Sequence, residues 1–154
     1  MGFVQKYQWF VWCASAGLAS GFVWLATSNE LGGILRTPAT FNGIIGLRPI
    51  PRRAPKGTRL PALDTLWVEG PMTRNVDDLA LMLDAGVGQQ IDDPLSFDTV
   101  GPSFGAALQG TDTPKRDAFS LDSCVVSVEK KIAHVCGNAT SFFRSWGGCD
   151  RGYL

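Results

Sequence analysis

The sequence predicts an α/β fold, because segments patterned as strands alternate along the chain with segments patterned as helices. Residues 22–26 form a continuous apolar run, which is typical of a strand buried on both faces. Residues 76–85 and 128–146 carry apolar residues at helical spacing. At 154 residues, the chain has the length of about one domain.

The N-terminal part is predicted to begin with a helix at residues 14–20, which ends at Gly21 before the strand at 22–26. Residues 28–33 are predicted to form a loop. A short helix is expected at residues 35–41, directly after a pair of glycines.

The middle of the chain is predicted to be irregular at residues 48–63, which are rich in proline and glycine, with a short strand candidate at 66–68. Asn75 is a good N-cap for the next helix, and Asp78 is placed to complete a capping box. The residues that form the apolar face of this helix and its glycine end are Val76, Leu79, Ala80, Met82, Leu83, Gly86 and Gly88.

The C-terminal part is predicted to contain a strand at residues 118–121 and then the clearest helix of the chain. Ser127 is expected to cap this helix, and Gly147-Gly148 to end it. Its apolar stripe is predicted to face the core, whereas His134 lies off the stripe and is expected to be solvated. The stripe consists of Val128, Ile132, Val135, Cys136, Ala139, Phe142, Phe143 and Trp146.

Composition argues against several classes of partner. The formal net charge is zero, so there is no electrostatic basis for binding nucleic acid or an anionic membrane surface. The four cysteines lack C-x-x-C spacing and the only histidine is His134, so we expect no metal site and no cofactor. Scattered thiols fit a reducing cytoplasm. The one basic cluster is interrupted by prolines and is interpreted as a solvated loop; it comprises Arg48, Arg52, Arg53, Lys56 and Arg59.

Residues 9–27 contain no charged side chain and allow three interpretations. They resemble a signal peptide cleaved after Ala14-Ser15-Ala16, a membrane helix, or a buried helix followed by a buried strand. Small and polar residues at Ser15, Gly17 and Ser20 interrupt the apolar run. We therefore favour the buried helix and strand over export or membrane anchoring.

Residues 30–39 read Glu-Leu-Gly-Gly-Ile-Leu-Arg-Thr-Pro-Ala and are the most informative segment of the chain. They resemble the core motif of the amidase signature family, acid-x-Gly-Gly-Ser-x-Arg-x-Pro-Ala. Other blocks in family order extend the resemblance over about residues 14–148 and leave residues 1–13 as a divergent N-terminus. These blocks are Leu25-Ala26, Phe41-Asn42-Gly43-Ile44-Ile45-Gly46-Leu47-Arg48-Pro49, Leu63-Asp64-Thr65, Glu69-Gly70-Pro71-Met72-Thr73-Arg74, Asp93-Pro94-Leu95-Ser96 and Phe104-Gly105-Ala106-Ala107-Leu108.

The resemblance implies one partial amidase-like domain over residues 1–154, a fragment of the amidase-signature fold with a mixed β-sheet covered by helices. Such enzymes use a Ser–Ser–Lys relay, in which a lysine is the base, one serine carries the proton and a second serine attacks the amide. Backbone N–H groups of the Gly-Gly turn hold the oxyanion. Glycine at this turn lets the backbone approach the substrate.

On this template the reactive groups are missing. Ile34 occupies the nucleophile position and Phe10 the approximate position of the shuttle serine, while the base lysine falls upstream of Met1. We therefore assign no catalytic residue. The remnant of the oxyanion and substrate loop is Glu30, Leu31, Gly32, Gly33, Ile34 and Arg36.

Two functional hypotheses from different classes follow. The chain is either an amidase that hydrolyses carboxylic amides to acid and ammonia, or a truncated non-enzymatic remnant or partner-binding piece. The missing nucleophile, shuttle and base favour the second, with Gly32-Gly33 as a helix-entry turn and Arg36 paired with Glu30 or a carbonyl. A small amide ligand and self-association through unpaired strand edges are the expected interactions. A membrane-anchored small protein is the third interpretation.

Overall fold

The computed structural model describes residues 3–57, 63–110, 116–118, 120, 127–145 and 150–152. The chain divides into two compact units, Met1–Gly110 and Thr111–Leu154. The described part of the first unit contains helices and a small sheet, and that of the second contains one helix and a pair of strands. The predicted α/β class is confirmed.

The first unit is built from four helices and three strands, numbered in chain order within their described ranges. They are α1 (Phe3–Ala19), β1 (Ala26–Glu30), α2 (Arg36–Asn42), β2 (Ile45–Gly46), β3 (Val68–Thr73), α3 (Val76–Gly86) and α4 (Phe104–Gln109). The second unit contains β4 (Arg116–Ala118), α5 (Lys130–Ser145) and β5 (Asp150–Gly152).

The sheet of the first unit is antiparallel in the order β1-β3-β2, so β3 is the central strand. Ser28 lies opposite Gly70 in the β1–β3 pair, and Gly46 lies opposite Met72 in the β2–β3 pair. In the second unit β4 and β5 pair in parallel. In the described part of the chain, parallel and antiparallel pairing therefore occur in separate sheets, whereas one mixed sheet was predicted.

The first helix is longer than predicted, because α1 begins at Phe3 instead of residue 14. Its buried positions Val11, Ser15 and Leu18 share one helical face, and the core cluster joins Val11 and Leu18 to Leu35 and Met72. The Ser15 hydroxyl accepts a hydrogen bond from Asn42 Nδ2 at 2.9 Å. This bond links α1 to α2.

The end of α1 follows the prediction. Gly21 has a φ of 80°, and the N–H groups of Gly21 and Phe22 donate to the carbonyls of Leu18 and Gly17. A glycine in the left-handed region with these bonds is the usual way to close a helix C-terminus. No helix in the described part of the chain has both the length and the apolar character needed to cross a membrane.

The prediction of a buried strand at residues 22–26 is wrong. The strand spans Ala26–Glu30, and it includes residues that were expected to form a loop. Phe22 and Trp24 are 87% and 77% exposed. The reason is that backbone pairing with β3 selects the more polar segment, whereas the apolar run only connects α1 to the sheet.

The central strand and the helix after it are close to the prediction. The strand expected at residues 66–68 begins only at Val68 and continues to Thr73. Asn75 caps α3 as predicted, since its Oδ1 accepts from the Asp78 N–H at 2.7 Å and its Nδ2 donates to the Asp78 carboxylate. The buried face is narrower than predicted, because Leu79, Ala80 and Leu83 are buried but Met82 is half-buried and Val76 is exposed.

The helix of the second unit departs from the prediction in two ways. It begins at Lys130, so Ser127 does not lie at its N-cap. Val128, Ile132 and Val135 are exposed rather than core-facing, because helical spacing shows which residues share a face but not whether another element covers that face. His134 is exposed, as predicted.

Other predictions for the second unit are only partly testable. β4 meets the strand expected at residues 118–121 only at Ala118, and residues 119 and 121 lie outside the described residues. Phe142 and Phe143 lie on α5, but their side-chain surroundings are not described, and Trp146 lies outside the described residues.

Candidate functional site

A single buried carboxylate organises the turn that carries the family motif. Glu30 is the last residue of β1, and its side chain is fully buried. Its Oε2 accepts hydrogen bonds from the N–H groups of Leu35 at 3.0 Å and Arg36 at 3.1 Å, and its Oε1 accepts from the Gly33 N–H. The turn between β1 and α2 therefore folds around this one side chain.

The Arg36 side chain completes the arrangement. Its Nη2 donates to Glu30 Oε1 at 3.2 Å, which confirms the predicted structural pairing of these two residues. The Arg36 side chain is 59% exposed, so solvent screens this ion pair on the arginine side. Three backbone N–H groups, which are fixed by the turn, stabilise the carboxylate together with this ion pair.

The two glycines of the motif have different roles. Gly33 has a φ of 88°, and a Cβ at this residue would lie 3.0 Å from Thr37 Oγ1, so glycine is required there. Gly32 is exposed, and a Cβ at this residue would meet nothing within 4 Å. The backbone at Gly32 therefore faces open space, whereas Gly33 shapes the turn.

Arg48 is a residue of this region that the sequence analysis assigned incorrectly to a solvated loop. Its Nη1 donates to the Glu30 carbonyl oxygen at 2.8 Å, and its Nη2 donates to the Leu66 carbonyl oxygen, also at 2.8 Å. It therefore holds the end of β1 near the start of β3. The position of Arg48 inside the motif block Gly-Leu-Arg-Pro was the signal that identifies it.

Arg53 and Lys56, two further members of the basic cluster, are less solvated than predicted, whereas Arg52 is exposed and Arg59 lies outside the described residues. The Arg53 guanidinium lies over the rings of Phe97 and Phe104, at 5.4 and 5.7 Å from their centroids. The Lys56 N–H donates to the buried Asp93 carboxylate at 2.9 Å. These residues attach the proline-rich segment to the rest of the first unit.

Ile34, which occupies the nucleophile position, packs against the core. Its half-buried side chain lies against the cluster that contains Val11 and Leu35. Phe10, which occupies the approximate shuttle position, is 70% exposed on α1, although its neighbour Val11 is buried. The nucleophile position, residue 34, therefore holds a hydrocarbon side chain without any polar atom.

The electrostatics of the turn are those of a satisfied internal anion. Burial of the Glu30 carboxyl raises its pKa, but the hydrogen bonds from the Arg36 side chain and from the N–H groups of Arg36, Gly33 and Leu35 outweigh burial, so its pKa is lowered. Glu30 is therefore ionised at neutral pH. The Gly33 N–H, a candidate oxyanion donor, is occupied by the protein's own carboxylate.

This pKa shift predicts a pH dependence of stability. A carboxyl whose pKa is lower in the folded state than its ordinary value of 4.5 stabilises the fold above that pH and loses the contribution as the pH falls through the folded-state pKa. Urea unfolding midpoints should therefore decline below about pH 4.5. Glu30→Gln should flatten this decline. An equal decline in the variant would contradict the assignment to Glu30.

The remaining chemistry of the described residues is limited. Within them, no group of three or more His, Cys, Asp or Glu side chains is placed to hold a metal ion. A cleft of about 260 Å³ lies beside β3 and α3, and none of the six motif-loop residues lines it. Its lining is Thr27, Ala54, Pro55, Glu69, Gly70, Pro71, Met82, Leu83, Gly86 and Val87.

Comparison with known proteins identifies relatives of this chain. A family model described as Amidase matches residues 14–141. The acylamidase of Rhodococcus erythropolis is 34% identical over 135 residues, covering 87% of this chain and 28% of that protein. The glutamyl-tRNA(Gln) amidotransferase A subunit of Ruegeria sp. (strain TM1040) is 29% identical over 134 residues, covering 87% of this chain and 27% of that protein.

Two solved structures have a fold similar to that of this chain. A bacterial aryl acylamidase of the amidase signature enzymes aligns with a TM-score of 0.80 and 30% identity, covering 92% of this chain and 29% of that one. A 6-aminohexanoate cyclic dimer hydrolase aligns with a TM-score of 0.78 at 20% identity, over 92% of this chain and 31% of that one, a likeness of fold alone. The chain therefore spans less than a third of the length of these relatives.

Proposed function

Because this chain belongs to the amidase family, we propose that it is a family member that does not hydrolyse amides by itself. The observation that supports this proposal is the packing of Ile34, in the nucleophile position, against the hydrophobic core. On this proposal the chain is a pseudoenzyme, and it keeps the motif turn for structure and binding.

The chemistry of amide hydrolysis explains why Ile34 matters. An oxygen nucleophile must form a bond to the carbonyl carbon while a base takes its proton. The protonated base then gives this proton to the amide nitrogen, the C–N bond breaks, and ammonia leaves. An isoleucine side chain has no oxygen and no acidic proton. The occupied N–H of Gly33 also weakens the case for an oxyanion hole, since one of its donors already serves Glu30.

The retained turn supports a binding role instead of turnover. Glu30 and Gly33 hold the loop in one conformation, and the exposed Gly32 leaves room for a ligand to approach the backbone. A small amide is the ligand class proposed for this turn, because peptide groups offer both a donor and an acceptor to it. A cytoplasmic location is proposed because Cys13 and Cys136 are exposed free thiols.

The test measures ammonia release from small aliphatic and aromatic amides. We expect none above a heat-denatured control for the natural sequence. We expect none for Ile34→Ser either, because Phe10 occupies the approximate shuttle position and cannot relay the proton of the new hydroxyl. Ile34→Ser should also lower the free energy of unfolding by about 1–3 kcal/mol, since it removes half-buried hydrocarbon.

Ile44→Ser is the matched control, because Ile44 is also half-buried against the same cluster. It should lose similar stability and show no activity. Ammonia release by the natural protein would overturn the proposal. Release by Ile34→Ser but not by Ile44→Ser would show that a base and a proton shuttle are present after all.

A further inference from the structure

The outer edge of β1 carries backbone groups that point away from the sheet. The Leu47 N–H donates to the Pro71 carbonyl at 3.1 Å, so Pro71 faces β2, and the residues on either side of it, Gly70 and Met72, face β1. Thr27, which lies opposite Pro71, therefore directs its N–H and C=O outward.

Asn29 shares this orientation, because alternate residues of a strand point their backbone groups to the same side. The Ser28 hydroxyl donates to the Asn29 carbonyl at 3.1 Å. Within the described residues, no hydrogen bond reaches the outward backbone groups of Thr27 or the Asn29 N–H. The unpaired backbone groups of this edge therefore have the spacing that hydrogen bonding to one further strand requires.

The sequence of this edge contains neither a charge nor a proline, two features that normally prevent strand addition. Natural edge strands are blocked by charged side chains, proline or a covering element. Residues 22–29 contain no charge and no proline, and the first charged side chain after them, Glu30, is turned into the protein. We call residues 22–29 the β1 edge surface.

The β1 edge surface also exposes apolar side chains next to the open backbone. Phe22 and Trp24 are largely exposed, and Val23 and Leu25 are exposed to a smaller extent. These side chains lie directly before the strand in sequence, so one partner segment can cover both features. Apolar side chains beside an unpaired edge are typical of an interaction site.

We propose that the β1 edge surface binds a second copy of this chain in antiparallel orientation. A twofold interface brings the same surface of both copies together, and an uncharged strand creates no like-charge repulsion when it meets itself. Four aromatic side chains, two from each copy, would bury about 600–1,000 Å². Stable interfaces bury about 1,200–2,000 Å² in total. On this proposal, the remaining buried area comes from the paired strands and from the side chains of Val23 and Leu25.

Two substitutions test the dimer by different physical means. Thr27→Pro removes an outward N–H without breaking the β1–β3 ladder, because Thr27 does not donate to β3. Trp24→Lys places a charge within the apolar part of the surface. Ile91→Lys is the control, because Ile91 is 97% exposed and lies outside this surface.

Light scattering after size exclusion should give the natural protein twice its chain mass of 16.6 kDa. Both variants should shift to the monomer mass, with a Kd raised at least about tenfold, which is about 1.4 kcal/mol. Ile91→Lys should remain dimeric. Circular dichroism checks folding, and Trp24→Lys keeps the test valid if Thr27→Pro fails to fold.

Hydrogen exchange adds a residue-level measurement. The Thr27 and Asn29 amides should be protected only at concentrations where the dimer forms, whereas the Ser28 amide should be protected at all concentrations by its bond to β3. A natural protein that is monomeric throughout would overturn the proposal. So would a dimer that survives both substitutions, or a stable complex with a different polypeptide at this surface.

Discussion

Glu30→Ala is expected to lower the free energy of unfolding by about 3 kcal/mol, because it removes the buried charged acceptor of three backbone N–H groups. The substitution leaves the buried N–H of Leu35 without an acceptor and deprives the N–H groups of Gly33 and Arg36 of theirs. An unsatisfied buried donor is costly in itself. Urea unfolding followed by circular dichroism measures the loss.

Arg36→Ala separates the contribution of the backbone hydrogen bonds to the free energy of unfolding from that of the ion pair. Because the Arg36 side chain is largely exposed, its removal should cost less than about 1 kcal/mol. Glu30→Gln should fall between the two, since it keeps one oxygen acceptor but loses the charge. If Arg36→Ala were as destabilising as Glu30→Ala, the turn would depend on the ion pair and not on the backbone bonds.

Gly70→Ala is expected to destabilise the protein by about 3 kcal/mol through steric overlap in the central strand. A Cβ at this position would collide with the Leu47 carbonyl oxygen and would lie 2.8 Å from Leu35 Cδ1 and 3.0 Å from Pro49 Cδ. The carbonyl belongs to the backbone and has little freedom to move. A lower melting temperature in thermal unfolding is the expected result.

Gly86→Ala is the matched control for this prediction. Gly86 is the last residue of α3, and a Cβ there would meet nothing within 4 Å. Alanine should therefore be neutral or stabilising by up to about 1 kcal/mol, as expected for a helical glycine. Equal melting temperatures for Gly70→Ala and the natural protein would show that β3 and the segment after β2 are not packed as closely as the structure describes.

Local signals were sufficient where a few neighbouring residues decide the structure. Asn75 caps α3 as predicted, although Asp78 accepts from the Asn75 side chain and not from its backbone N–H as in a capping box, and Gly21 ends α1 as predicted. The pairing of Arg36 with Glu30 also followed from the motif, because the two residues are separated by one turn only. In each case the interacting groups lie within six residues of one another, so the sequence pattern contains the whole interaction.

Strand positions were less predictable, because pairing depends on distant residues. The apolar run at residues 22–25 is exposed, and the more polar Ala26–Glu30 forms the strand through its register with Val68–Thr73. Hydrophobicity alone predicted burial on both faces for a segment that the described structure leaves open. The prediction that the apolar stripe of α5 faces the core was wrong for the same reason, since Ile132 and Val135 are exposed.

The sequence by itself determined the family of this chain and the presence of isoleucine at position 34, because both depend only on residue identity in motif order. Only the tertiary structure decided that Ile34 packs against the core, that Glu30 accepts the Gly33 N–H, and that Arg48 joins β1 to the start of β3. The physical reason is that the Ile34 and Arg48 contacts join residues distant in sequence, while the Glu30 contact depends on the turn's three-dimensional path.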